Sequence, residues 1–417
     1  MVKNALYLLS VQGLSYLFPL ITLPYLVQIL GVREYGVLGF SLALSQYGVM
    51  LVDFGFNYSA TRDISLYRDD AKERCKIFWS VFYAKLILAV TACSVLYVVV
   101  NLYNHDFEKA NLYWSFLSII GAALFPLYYF QGVEKMKFIA IISLLSKLLS
   151  LIMIFTLVKS SEDTWIAIAI QSSVNLIAAL FSLPYLIIRG GLFFYKFKIN
   201  DLFLEMKKSS DFFLSSVSIN LYTTSLTVIL GIVSGPHSVG YFVAADKLRA
   251  AVQGLIGPVI QAVYPRVSRV MNNSTLEGVR LSLTVFKYQF SFMFIICIAS
   301  ILMADYIINI LYGTLYKDIV VTFRVLMIVP IVVTVSNIAA ICIMIPIGMK
   351  KAFTKIVTIS GVLSLPITFV MAWQFSYNGV AISLVFIEFM IMAQFIIALV
   401  RSNIFSANVF RGGKSDK

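Results

Sequence analysis

Apolar runs of about twenty residues follow one another along almost the whole chain, and that is the length a helix needs to cross the ~30 Å hydrocarbon core of a bilayer. Read at that length, the sequence predicts twelve spans, at 5–30, 35–57, 77–100, 111–132, 138–158, 165–188, 209–233, 239–262, 284–308, 319–345, 356–374 and 379–400. No period-two alternation runs through them, so they read as helices rather than barrel strands. The expected fold class is therefore an all-α integral membrane protein with about twelve transmembrane helices. A soluble domain is about a quarter charged, whereas this chain is 13% charged and 60% hydrophobic. Apolar sequence begins at Ala5 without a small-residue cleavage site, so the start reads as a retained first helix and not a signal peptide.

The net charge of +13 finds its place in the connections. The N-terminus, 58–76, 133–137, 189–208, 263–287, 346–355 and the C-terminal tail hold 24 of the 33 Lys and Arg, against four (Arg33, Lys109, Lys159, Lys317) in the alternate connections. Short loops rich in Lys and Arg stay in the cytoplasm, so both termini are expected there. No basic face with interleaved aromatics lies outside the spans, which excludes nucleic acid as a partner. Cys75, Cys93, Cys297 and Cys342 form no CxxC, and His105 and His237 have no companion motif, so no zinc site, other metal or disulfide framework is indicated. No GxxxxGK[ST] loop is present and no other cofactor motif stands out. Connections of at most about 25 residues leave no room for an extramembrane catalytic domain.

Two turns repeat. Gly31-Val-Arg-Glu-Tyr-Gly36 follows the first span and Gly235-Pro-His-Ser-Val-Gly240 follows the seventh, 204 residues later, with both glycines in register. A Gly-then-Lys turn follows the fourth span (Gly132, Lys135) and the tenth (Gly348, Lys350). These matches predict two six-helix lobes, 1–200 and 201–417, of the same orientation, a transporter design with its site at the repeat interface.

Charge at depth within the spans is mostly positive: Lys85, Lys147, Lys247, Arg249 and Arg324 against Asp246, Glu388 and, nearer an end, Asp53. Intramembrane charge is costly and marks pathways or pairs, so the substrate is expected to be anionic. Lys147 sits near mid-depth on a stripe with Ser143, Ser146 and Ser150 and reads as cavity-lining. Lys247 and Arg249 form the first choice for an anionic head-group site, since a guanidinium grips phosphate bidentately and a lysine acts as a point charge. Asp246 could instead neutralise one of them as a structural pair. Lys85 and Arg324 lie closer to span ends, where snorkelling competes with a role in the cavity wall. Ser215, Ser218, Tyr222 and Ser225 share one face of the seventh span, a hydroxyl-rich surface suited either to sugars or to helix packing. Glu388 stands among apolar neighbours and is a candidate for ion coupling or for pairing with a cation. Asp53 fits gating, helix termination or a charge pair.

Taken together, Leu30-Gly31-Val-Arg-Glu-Tyr35-Gly36, Asp53-Phe-Gly-Phe-Asn57 with Thr61-Arg62, Tyr129-Phe-Gln-Gly132-Val-Glu134, the run from Phe213 to Thr224, Val239 to Lys247 and Leu311-Tyr-Gly313 resemble bacterial O-antigen flippases. These polysaccharide transporters, often called Wzx, sit within the multidrug/oligosaccharidyl-lipid/polysaccharide exporter superfamily. The resemblance runs in order over nearly the whole chain. It implies two pseudo-symmetric six-helix bundles around a central cavity. The implied substrate is an undecaprenyl-pyrophosphate-linked oligosaccharide, moved to the periplasmic leaflet of the bacterial inner membrane. An associated O-antigen polymerase and chain-length regulator are implied partners, and no catalytic residue carries over. A cation-exporting multidrug relative would need an acidic cavity, which the excess of buried cations disfavours. A membrane polymerase would need a large external loop, and the longest here spans about ten residues (101–110).

Overall fold

The computed structural model describes residues 2–102, 107–189, 192–195 and 198–402, without the side chains of 2–17, 19, 215, 314 and 315. His105, the tail cations Arg411, Lys414 and Lys417, and the Ser215 side chain lie outside the described residues. Among the described residues every regular element is helical.

Nine helical segments among these residues are long and apolar enough to cross a membrane. Three of them, Leu20–Leu66 (47 residues), Ser216–Asn273 (58) and Lys350–Arg401 (52), are too long to cross once. At 1.5 Å per residue even the shortest would extend ~70 Å if straight, more than twice the hydrocarbon thickness. Each turns back at a residue in the left-handed half of φ/ψ space, Gly31 (φ 73°), Gly235 (φ 76°) and Ser376 (φ 51°), and the first segment has a further break at Phe54 and Gly55. With each counted as two spans, the twelve expected helices are accounted for.

The third segment shows what the interruption does. Thr368 and Ser383 approach to 3.4 Å, and Gln394 donates to the Ser360 hydroxyl at 3.1 Å. In one straight helix, residues 34 apart would be separated by ~50 Å, so the chain folds back at Ser376 into a hairpin. Its seam is polar: Ser360, Ser364, Thr368 and Ser383 are all buried. Small hydroxyl residues let membrane helices approach closely and satisfy one another where lipid offers no partner. Ser376 itself holds φ 51°, ψ −134°, a region that only glycine occupies without strain. Ser376→Gly should therefore raise the apparent stability in detergent by about 1 kcal/mol, and an unchanged or lower melting temperature would contradict the strain.

The chain forms two compact units, Met1–Gly240 and Tyr241–Lys417. In the first, the helical stretch ending at Leu66 packs antiparallel along the one that starts at Ile199. Tyr47 and Ser225 hydroxyls meet at 2.6 Å, Phe54 stacks on Phe213 with centroids 4.3 Å apart, and Ser59 meets Ser209 at 2.5 Å. Each step forward along one strand of this pair is matched by a step back along the other. At its foot, Lys208 bridges Asp63 (2.9 Å) and Glu205 (2.7 Å). Burial opposes the Lys208 charge, but the bonds to Glu205 and Asp63 outweigh it and raise the ammonium pKa. Burial also pushes the Glu205 carboxyl up, against the lowering influence of Lys208. At the opposite end of the pair the two repeated glycine turns touch: a Cβ on Gly36 would lie 1.8 Å from the Pro236 carbonyl oxygen, and one on Gly240 would lie 2.0 Å from that of Val32. An aromatic core of Phe56, Phe78, Tyr128, Tyr129 and Phe130 fills the same unit.

The second unit is tied together by buried polar bonds between its helices. The Tyr312 hydroxyl donates to the Ala244 carbonyl at 3.0 Å, Thr322 donates to Asn378 at 2.5 Å, and the Gln289 amide donates to the Ile256 carbonyl at 3.3 Å.

Candidate substrate-binding site

The expected site residues divide between the two units. In the first, Lys85 belongs to the helix Ala71–Leu102 and is 1% exposed. Its ammonium donates to the Asp53 carboxylate at 3.1 Å and to the Ala122 carbonyl at 3.0 Å, and lies 5.6 Å from the Tyr128 ring centroid. Three different elements therefore hold it, and its charge is neutralised in place. The geometry gives Asp53 the part of counter-ion.

Lys147 lies within Met136–Leu157 and is half-buried, between the buried hydroxyls of Ser146 and Ser150. Ser146 donates to the Ile142 carbonyl one turn back, the usual way a helix satisfies a serine away from water. Along the seventh span, Ser218 and Ser225 are buried, Ser218 donating to the Leu214 carbonyl and Ser225 meeting Tyr47. Tyr222 is half-buried on the same stretch. Ser218 and Ser225 thus find hydrogen-bond partners inside the protein, on the face that packs against the helix carrying Tyr47.

In the second unit, Arg249 donates through Nε to Asp246 at 2.6 Å and through a terminal nitrogen to the Gln253 side chain. Residues 246, 249 and 253 fall on one helical face, so the guanidinium is held along its own helix. Lys247 points elsewhere and is exposed. Glu388, from the last hairpin, is buried, and Arg249 is the cation whose charge acts on it. One face thus gathers Asp246, Arg249 and Gln253 with Glu388 within electrostatic range. Arg324 sits apart, its Nη2 2.6 Å from the exposed Asp305 carboxylate and its Nε donating to the Ile301 carbonyl. That is the arrangement of a cation reaching for the rim of its span.

Sequence reasoning singled out each of these charges except Asp305, and of the partnerships it offered only Asp246 with a neighbouring cation and Glu388 with a cation. Asp305 as the partner of Arg324, and Asp63 as the partner of Lys208, carried no signal, because pairs 19 and 145 positions apart depend on how helices are rotated against each other.

The comparisons with known proteins agree with this architecture. The family model described as "Polysaccharide biosynthesis protein" matches residues 1–271. A protein of Escherichia coli (strain K12) named "Putative O-antigen transporter" is 34% identical over 405 residues, covering 96% of this chain and 97% of that protein. Among solved structures, "Lipid II flippase MurJ, inward closed conformation" matches with a TM-score of 0.77 at 15% identity, covering all of this chain and 94% of that one. An inward-facing "multidrug resistance MATE family transporter of the MOP superfamily" matches with a TM-score of 0.75 at 13% identity, covering 95% of this chain and 96% of that one. With long apolar helical spans, a family model matched over residues 1–271 and a relative matched over almost its full length, the chain belongs to the polysaccharide biosynthesis protein family.

Proposed function

We propose that the protein is a flippase that carries undecaprenyl-pyrophosphate-linked O-antigen repeat units from the cytoplasmic to the periplasmic leaflet of the inner membrane. It works by alternating access between the lobes 1–200 and 201–417, with both termini cytoplasmic, and hands its product to an associated polymerase and chain-length regulator. The observation that carries the reading is the Lys247–Arg249 pair. Lys247 is accessible to solvent twelve positions past the Gly235 turn while protein surrounds it, at a depth where a lysine facing lipid is costly, so its natural surroundings are a water-filled path or an anion. Arg249 is held by Asp246 and Gln253 on a different face of the same helix, within electrostatic range of Lys247. A pyrophosphate suits such a pair, with Lys147 as a further cation and Lys85 and Arg324 as paired wall residues. Ser215, Ser218, Tyr222 and Ser225 form the candidate sugar-facing stretch. Glu388 is the candidate for coupling to an ion gradient, since a buried carboxyl within the field of a guanidinium can exchange a proton as that guanidinium changes partner.

Deleting the gene should leave lipid-linked repeat units accumulating on the cytoplasmic face, with surface polysaccharide restored by the wild-type chain. Arg249→Ala and Lys147→Ala should each insert normally yet fail to restore display, while Lys147→Arg retains part of it. Full restoration by both alanine variants would overturn the cationic mechanism. In inverted vesicles the wild type should respond to an imposed pH gradient and Glu388→Gln should not; a wild type indifferent to the gradient removes proton coupling.

A further inference from the structure

The loop cations that orient the protein also build a pocket of their own. The turn after Leu66 and the turn after Gly132 meet, and a cavity of about 230 Å³ opens between them, lined by Arg68, Asp69, Arg74, Tyr129, Val133 and Lys135. At ~30 Å³ per water this is room for about seven waters, or for a small hydrated anion.

Three of the six lining residues are cations. Arg74 stands in the first turn of the helix Ala71–Leu102, whose free amides are already capped: Asp70 accepts from Lys72 N at 2.9 Å and from Glu73 N at 3.1 Å. The Arg74 guanidinium is fixed by donating to the Arg68 carbonyl and by a hydrogen bond with the Tyr129 hydroxyl. Its Nε, however, is buried with no partner. An unpaired guanidinium N–H away from water is unfavourable, and a ligand oxygen in the adjacent pocket would satisfy it. Arg68 reaches Glu134 at 2.9 Å, both partly exposed, and that contact is weak enough to exchange. Glu134 holds φ 57°, the left-handed backbone that turns the chain so that Lys135 follows it into the pocket wall. Lys135 is exposed, its ammonium 5.4 Å from the Tyr185 ring centroid. Even with Asp69 and Glu134 counted, the cluster keeps one positive charge.

The other loop end of the same unit is the reverse. A larger groove there, about 550 Å³, is lined by Glu34, Glu108 and Glu162 with Trp114 and Trp165, and by no cation. A phosphoryl group therefore has an attractive pocket at one loop end of this unit and a repulsive groove at the other.

We infer that the Arg68–Arg74–Lys135 pocket binds the phosphoryl groups of an anionic lipid head group at the Lys/Arg-rich face, ahead of the intramembrane cations. Given the flippase reading on which this rests, the head group is the pyrophosphate of the carried lipid. Two guanidinium groups and an ammonium supply the fork geometry and the point charge that phosphoryl oxygens accept, and the Tyr129 hydroxyl adds one more donor.

The test is equilibrium binding of radiolabelled pyrophosphate to the full chain in phosphatidylcholine nanodiscs. Competitors are inorganic phosphate, an isoprenyl pyrophosphate placed in the disc, and phosphatidylglycerol placed in the disc. Arg74→Gln and Lys135→Gln should each weaken binding about tenfold, as expected for loss of one charge-assisted contact, with Arg74→Lys intermediate. The isoprenyl pyrophosphate should compete best. Lys135 is exposed, so its variant separates binding from folding, checked by an unchanged melting temperature. Binding unaltered in both glutamine variants removes the site. Competition by phosphatidylglycerol as strong as by the isoprenyl pyrophosphate, or by inorganic phosphate alone, removes the pyrophosphate-lipid assignment. The deletion phenotype is scored separately. A strain lacking the gene that accumulates no lipid-linked repeat units would sink the flippase reading and leave the binding result standing by itself.

Discussion

Asp53→Ala should destabilise the protein by about 3–5 kcal/mol, the range found when one partner of a buried ion pair is removed. The asymmetry of the pair makes the effect large. Lys85 is 1% exposed, whereas the Asp53 side chain keeps 36% of its surface. Without Asp53 the ammonium retains the Ala122 carbonyl and the face of the Tyr128 ring, which together do not replace a full counter-charge. It must then stay charged without compensation or give up its proton, and both are unfavourable. Lys85→Met should be milder, because a half-exposed Asp53 can recover water. The double variant Asp53→Ala/Lys85→Met should regain most of the loss, since a thioether of similar length suits the apolar surroundings of Ala84, Val81 and Tyr128. Thermal unfolding of the four proteins in one detergent gives the coupling directly. A mild Asp53→Ala variant, or effects that simply add, would mean that the pair is not what keeps Lys85 in place.

That pair shows where the sequence stopped being informative. Both residues stood out, because a charge in an apolar run is visible in one dimension. Their partnership depends on the rotation of two helices 32 positions apart, which no local pattern encodes. The same holds for Lys208 with Asp63, and for Ser225, whose hydroxyl turns toward Tyr47. By contrast, the spans were legible because bilayer thickness fixes their length, and Arg249 with Asp246 because helical periodicity fixes an i,i+3 neighbour. The Arg74 pocket was missed for a different reason. In the sequence its cations are topology signals, and a residue that orients a loop can also face a cavity once two loops meet. The two glycine turns were legible as turns, but their contact with each other through Gly36 and Gly240 was not.

That contact supports the strongest structural prediction about the repeat. Gly31 and Gly235 share nearly the same backbone geometry, φ 73°, ψ 176° and φ 76°, ψ −179°. The residue that blocks a side chain at Gly36 is 236, and the one that blocks it at Gly240 is 32. Position 236 is the repeat equivalent of 32, and 240 is the equivalent of 36, so the two turns dock on each other reciprocally, as across a two-fold axis. Alanine at either glycine would place a Cβ within 2.0 Å of a backbone carbonyl oxygen, and a backbone cannot rotate aside as a side chain can. Gly36→Ala and Gly240→Ala should therefore each destabilise by about 3 kcal/mol, the upper part of the overpacking range. Gly257→Ala, where nothing lies within 4 Å of the added carbon, is the control and should be near neutral. The double variant should lose clearly less than the two singles combined, because the first methyl separates the turns and leaves room for the second. Additive losses would assign each glycine its own local role and dissolve the symmetric contact; two silent variants would show that the turns separate freely.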